Sequence, residues 1–121
     1  MTTSFEALLR DLVERVPGSQ ASLLMGVDGI PVETYVPDTG LDPQQAGAEY
    51  ATVLAAARRA SQSLETGDVE ELAIQTDRGT LLVRLVTPDY FVALALGPGA
   101  IRGRGRFHLR LASLKLAPEL A

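Results

Sequence analysis

Residues 69–96 read VEELAIQTDRGTLLVRLVTPDYFVALAL, three apolar runs separated by Asp77-Arg78-Gly79 and Thr87-Pro88-Asp89. Turn residues of this kind reverse the chain tightly, so 69–76, 80–86 and 90–96 are expected to form a three-stranded antiparallel meander. In the second run Leu81, Val83 and Leu85 alternate with Leu82 and Val86; in the third, Phe91, Ala93 and Ala95 alternate with Val92, Leu94 and Leu96. A strand apolar on both sides is covered on both faces. The meander therefore demands helices above and below one sheet.

The flanking sequence supplies them. Thr3 with Glu6 fits a capping box, and Phe5, Leu8, Leu9, Leu12, Val13 and Val16 then recur at the spacing of one helix face until Pro17-Gly18. Residues 20–36 divide at Asp28-Gly29, a hairpin turn, with Ala21, Leu23, Met25 and Val27 before it and Ile30, Val32 and Val36 after it. Asp42-Pro43 suits an N-cap with proline in the first helical position, opening a second helix to about Leu64. Its apolar stripe reads Ala46, Tyr50, Val53, Leu54, Ala57, Ser61, Leu64, and Ala48, Ala51, Ala55, Ala56 and Ala60 keep the rest of its surface small. A last helix over 101–116, weakened at its start by Gly103 and Gly105, is expected to face Phe107, Leu111 and Leu114 inward.

The order is thus αββαβββα, an α/β (α+β) three-layer sandwich around a five-stranded antiparallel sheet, read as a single domain over 1–121. If the hairpin joins the meander through the first and last strands, the edges are the second and third strands. The second carries Pro31 and Glu33, which discourage edge pairing; the third, VEELAIQT, has no proline and is expected to pair with another strand. A helix that is small and weakly polar around most of its circumference accepts a second helix against it, most simply from a symmetry mate. The alternative is that its alanines only raise helix propensity.

The chain has no cysteine, which excludes disulfides and thiolate chemistry. A net charge of -4 argues against nucleic-acid binding, although residues 102–115 hold five basic residues and no acid. The amino-terminal MTTSFEALLRDLVERV is charged and periodic, unlike a signal peptide, and no segment approaches the roughly 18 apolar residues of a membrane span. A cytoplasmic protein is expected.

Catalytic constellations are absent. His108 stands alone between Arg106 and Arg110, so no histidine metal cluster can be built and a surface or half-buried helix residue is the better account. Glu70-Glu71 and Asp38 with Asp42 are expected to be solvated charge. The turn Gly97-Pro98-Gly99-Ala100-Ile101-Arg102 leads a strand into a helix, and Arg102, Arg104 and Arg106 would serve an anion there, but neither the dinucleotide nor the P-loop pattern is met. Arg102, Arg106 and Arg110 form a row on one helix face, open to an acidic protein surface or to lipid headgroups; with few large apolar residues expected on that face, membrane insertion is not. No catalytic residue, cofactor or metal is assigned.

This order, with DLVERVPG closing the first helix (11–18), MGVDGIPV at the hairpin (25–32) and GRFHLRLASLKL near the end (105–116), resembles the roadblock family. That family, of roadblock/profilin-like fold, includes the dynein light chains of that name and the bacterial MglB-type proteins. The resemblance implies a homodimer in which third strands pair and second helices lie side by side, forming a platform for a small Ras-like GTPase. Dimer contacts then fall on Tyr50, Val53, Leu54, Ala57, Ser61, Leu72, Ile74 and Thr76, and GTPase contacts on Glu49, Arg58, Arg59 and Gln62. It further implies stimulation of GTP hydrolysis without an arginine finger. The alternatives are a structural adaptor in a larger assembly and a small-ligand or anion sensor.

Overall fold

The computed structural model describes residues 4–37 and 40–120. The elements run α1 (Phe5–Arg15), β1 (Ser19–Gly26), β2 (Pro31–Tyr35), α2 (Pro43–Ser63), β3 (Glu71–Thr76), β4 (Gly79–Thr87), β5 (Tyr90–Leu96) and α3 (Arg102–Leu120). All strand pairs are antiparallel, in the spatial order β2-β1-β5-β4-β3, so the expected edges are the observed ones.

The doubly apolar strands separate two cores. Even-numbered Leu82, Val92, Leu94 and Leu96 pack with Leu8, Leu9 and Leu12 of α1 and Leu109, Ala112 and Leu116 of α3. Odd-numbered Leu81, Val83, Phe91 and Ala93 pack with Ala46, Ala51 and Leu54 of α2 on the other face. Ser22, fully buried in β1, donates its hydroxyl to the Leu9 carbonyl at 2.8 Å, so the helix is tied to the sheet and the buried hydroxyl is satisfied.

Helix starts follow side-chain chemistry. Ser4 caps α1, its hydroxyl accepting from the Ala7 amide at 3.1 Å; Thr3 of the expected capping box lies outside the described residues. Asp42 caps α2 through the Gln44 amide at 3.1 Å, with Pro43 in the first turn as expected. On α1, Glu6 hydrogen-bonds Arg10 and holds that guanidinium's pKa above its ordinary value, and the same Arg10 lies over the Tyr35 ring.

The last helix departs from expectation in its phase. Gly105, Leu109, Ala112, Ser113 and Leu116 are its buried residues, whereas Phe107, Leu111 and Leu114 point to solvent. The reason is close approach. A β-carbon on Gly105 would stand 3.0 Å from Leu96 Cδ1 and 3.2 Å from Leu82 Cδ1, so the sheet's own leucines fill the layer and leave room only for small residues at this crossing. The glycine read as a weak helix former is the point of contact.

Candidate protein-binding surface

Among the described residues β3 is bonded on one side only, to β4. Leu85 N–H donates to the Glu70 carbonyl at 3.1 Å, and Thr76 faces Gly79 across the two-residue turn Asp77-Arg78. Antiparallel pairs alternate between bonded and non-bonded, so the even residues of β3 spend their backbone groups on β4 while Glu71, Ala73 and Gln75 direct theirs outward. The side chains sort by the same alternation. Leu72 and Ile74 lie half-buried on the α2 face, and Ala73 and Gln75 are exposed on the α3 face. Thr76 is exposed and serves its own turn, donating to the Gly79 carbonyl and accepting from the Arg78 amide.

On α2 the expected dimer residues do not share one environment. Leu54 is 1% exposed and packs into the sheet beneath the helix, so it belongs to the protomer's core and not to a partner-facing side. Val53 is on the outside at 39% exposure, as is Leu64; Tyr50, Ala57 and Ser61 are half-buried. Tyr50, Ile74 and Thr76 border one shallow cleft, which brings the helix flank and the open strand together. Ser61 borders a different one, with Arg58, Gln62, Leu85 and Thr87. Nor does α2 run beside β3: its closest approach is to β1 and β2, where a β-carbon on Gly47 would fall 2.6 Å from the Met25 sulfur.

Of the expected GTPase contacts, Glu49 and Arg59 are exposed on the outer side of α2, and Gln62 is exposed on the flank that borders the cleft with Arg58, Leu85 and Thr87. Arg58 is half-buried and donates from Nη1 to the Pro88 carbonyl at 3.0 Å, anchoring the helix to the β4–β5 turn. The residues between them, Ala48, Thr52, Ala55, Ala56 and Ala60, are exposed and small.

The remaining chemical candidates become structural. Glu71, expected to be solvated, is mostly buried between Arg106 at 2.6 Å and Arg84 at 3.6 Å. That pairing takes Arg106 from any anion site at the Gly97 turn, whose Gly97 and Ala100 amides already donate to the Gly18 and Gly97 carbonyls. His108 is half-buried and stacks edge-on to Phe107 at 5.2 Å. Asp42 is a cap, and Asp38 lies outside the described residues. Among the described residues no group of three or more His, Cys, Asp or Glu side chains could hold a metal ion, and no helix is long and apolar enough to cross a membrane. Beside the expected arginine row, α3 projects Phe107, Leu111 and Leu114.

The sequence over residues 6–95 matches the family described as Roadblock/LC7 domain. Among solved structures, MglC from Myxococcus xanthus is 39% identical, with a TM-score of 0.70 over 97% of this chain and 99% of that one. A Roadblock/LC7 domain from Streptomyces avermitilis superposes with a TM-score of 0.88 at 21% identity, covering 98% of each chain. The gliding protein MglB from Thermus thermophilus gives 0.86 at 20% identity, over 95% of this chain and 88% of that one. The last two show the shared fold. No curated protein matches the sequence.

Proposed function

The chain belongs to the Roadblock/LC7 domain family, and on that footing we propose that it is a cytoplasmic, non-catalytic regulator that pairs with a second copy of itself and offers the outer side of α2 to a small Ras-like GTPase. One observation carries this reading: the open edge of β3 and the Tyr50 flank of α2 border one shallow cleft, lined by Tyr50, Ile74 and Thr76. A second β3 bonding to Glu71, Ala73 and Gln75 continues the sheet, and Leu72 and Ile74 of both copies then meet under the flank that carries Tyr50, Val53 and Ala57. Leu54 has no part in that contact.

Glu49 and Arg59 remain on the outer side for the GTPase, with exposed Gln62 on the flank beside Arg58. Arg58, the arginine best anchored on this helix, is held by Pro88. Its engagement favours a regulator that positions the GTPase's own residues over one that inserts an arginine.

Light scattering coupled to size exclusion tests the pairing, and a monomer at micromolar concentration overturns it. GTP turnover by a co-encoded small GTPase, measured with and without this protein, tests the regulation. Binding without a change in turnover leaves a structural adaptor.

A further inference from the structure

On α3 the sheet takes Gly105, Leu109, Ala112 and Leu116, and the opposite side carries a ridge of Phe107, Leu111 and Leu114, exposed at 59%, 38% and 63%. Their spacing of four and three residues makes the ridge continuous along the helix. At about 3.6 residues per turn, Arg104 and Lys115 fall to one side of it and Arg110 to the other.

Arg10, Arg15, Arg84 and Arg106 each meet a carboxylate of the fold. Among the described residues Arg104, Arg110 and Lys115 form no ion pair, as is also true of Arg58, Arg59, Arg78 and Arg102, but of these only Arg104, Arg110 and Lys115 flank the apolar ridge. Of the acids on neighbouring α1, Glu6 and Asp11 are paired within their own helix and Glu14 is exposed, while α3 itself carries one acid, Glu119, a turn beyond Lys115. The chain as a whole is acidic at -4, so this is a local basic and apolar face on a negative body.

We propose that α3 adsorbs on an anionic lipid surface. Phe107, Leu111 and Leu114 enter the boundary between headgroups and acyl chains, while Arg104, Arg110 and Lys115 extend sideways to lipid phosphates. A plane is the fitting occupant because Phe107 and Leu114 stand outermost on the helix with cations on both sides of them. The shallow cleft beside them, where Leu111 and Lys115 face α1, carries Asp11, which opposes an acidic partner helix. Since α2 packs on the opposite face of the sheet, adsorption through α3 leaves the proposed partner surface turned away from the membrane.

Flotation of the full chain with vesicles tests this. Vesicles of phosphatidylcholine with about one third phosphatidylglycerol should carry the protein, and pure phosphatidylcholine should not. Phe107→Ser with Leu114→Ser, and separately Arg104→Gln with Arg110→Gln and Lys115→Gln, should each reduce the floated fraction about tenfold with an unchanged Tm. Absence of the wild type from anionic vesicles overturns the proposal, as does undiminished flotation of the Phe107/Leu114 variant. If the wild type fails to float but that variant loses mass in light scattering, the ridge is a protein interface and the lipid assignment is wrong.

Discussion

Arg106 of α3 reaches Glu71 at the first position of β3, 2.6 Å from Nη2 to Oε2, and joins the last helix to the open edge strand. Glu71 also lies 3.6 Å from Arg84, and its side chain is only 17% exposed. The carboxylate is therefore the centre of the cluster, and the exposed Arg106 is its outer member. Glu71→Gln leaves Arg84 partly buried without a counter-charge and should cost about 1–2 kcal/mol. Arg106→Gln removes a solvent-screened partner and should cost under about 1 kcal/mol. Urea unfolding of the two variants checks the order, which reverses if Arg106 is the anchor.

Leu54 and Val53 are neighbours in sequence with opposite surroundings, 1% and 39% exposed. Leu54→Glu places a carboxylate among Phe91, Val83 and Leu23 and should unfold the protomer, seen as loss of the cooperative thermal transition. Val53→Glu should leave the Tm within a few degrees of wild type, since surface changes usually stay within about 0.5 kcal/mol. If α2 flanks a second copy as proposed, Val53→Glu halves the mass seen by light scattering. An unfolded Val53 variant would show that the helix is rotated from the orientation described.

What the sequence left legible follows from side-chain contrast. The strand order could be read because Asp28-Gly29, Asp77-Arg78-Gly79 and Thr87-Pro88-Asp89 mark reversals, and because Pro31 and Glu33 distinguish one edge from the other. Helix phase could not. On α3 the sheet side is Gly105, Ala112 and Ser113 beside Leu109 and Leu116, so bulk points outward at Phe107, Leu111 and Leu114. On α2 alanines lie on every side, and nothing in their order separates buried Ala51 from exposed Ala55. The geometry of the candidate surface is correspondingly half legible: the open edge of β3 can be read from the sequence, whereas the burial of Leu54 beneath α2 and the bond from Arg58 to Pro88, 30 residues away, cannot. The outward backbone groups of Ala73 were within reach of sequence, since a two-residue turn fixes which pairs are bonded.

Ala73 provides a test of the strand edge that spares the fold. Its side chain is exposed, and its amide points away from β4, so proline there removes one outward donor without breaking a ladder bond. Ala73→Pro should keep the far-ultraviolet spectrum and shift the protein from dimer to monomer at low micromolar concentration. Ile74→Pro, one residue on, removes a bond to Leu81 and leaves its carbonyl unpaired, which should lower stability by about 1–3 kcal/mol. A dimer undisturbed by Ala73→Pro would mean that the copies do not join through this edge.

Gly103 and Gly105 both open α3 and both lie in a helix, yet alanine should act on them in opposite directions. At Gly103 nothing stands within 4 Å of an added β-carbon, so Gly103→Ala gains helix propensity and restricts the unfolded chain. A stabilisation of about 0.5–1 kcal/mol is expected. At Gly105 the same carbon meets Leu96 Cδ1 at 3.0 Å and Leu82 Cδ1 at 3.2 Å. Both leucines are nearly or fully buried in a core shared with α1, so neither yields without moving its neighbours. The overpacking cost of about 1–3 kcal/mol exceeds the propensity gain, and Gly105→Ala should be net destabilising. Thermal melts of the two single variants decide the matter: a Gly105→Ala protein as stable as Gly103→Ala would mean that α3 stands farther from the sheet than its buried face indicates.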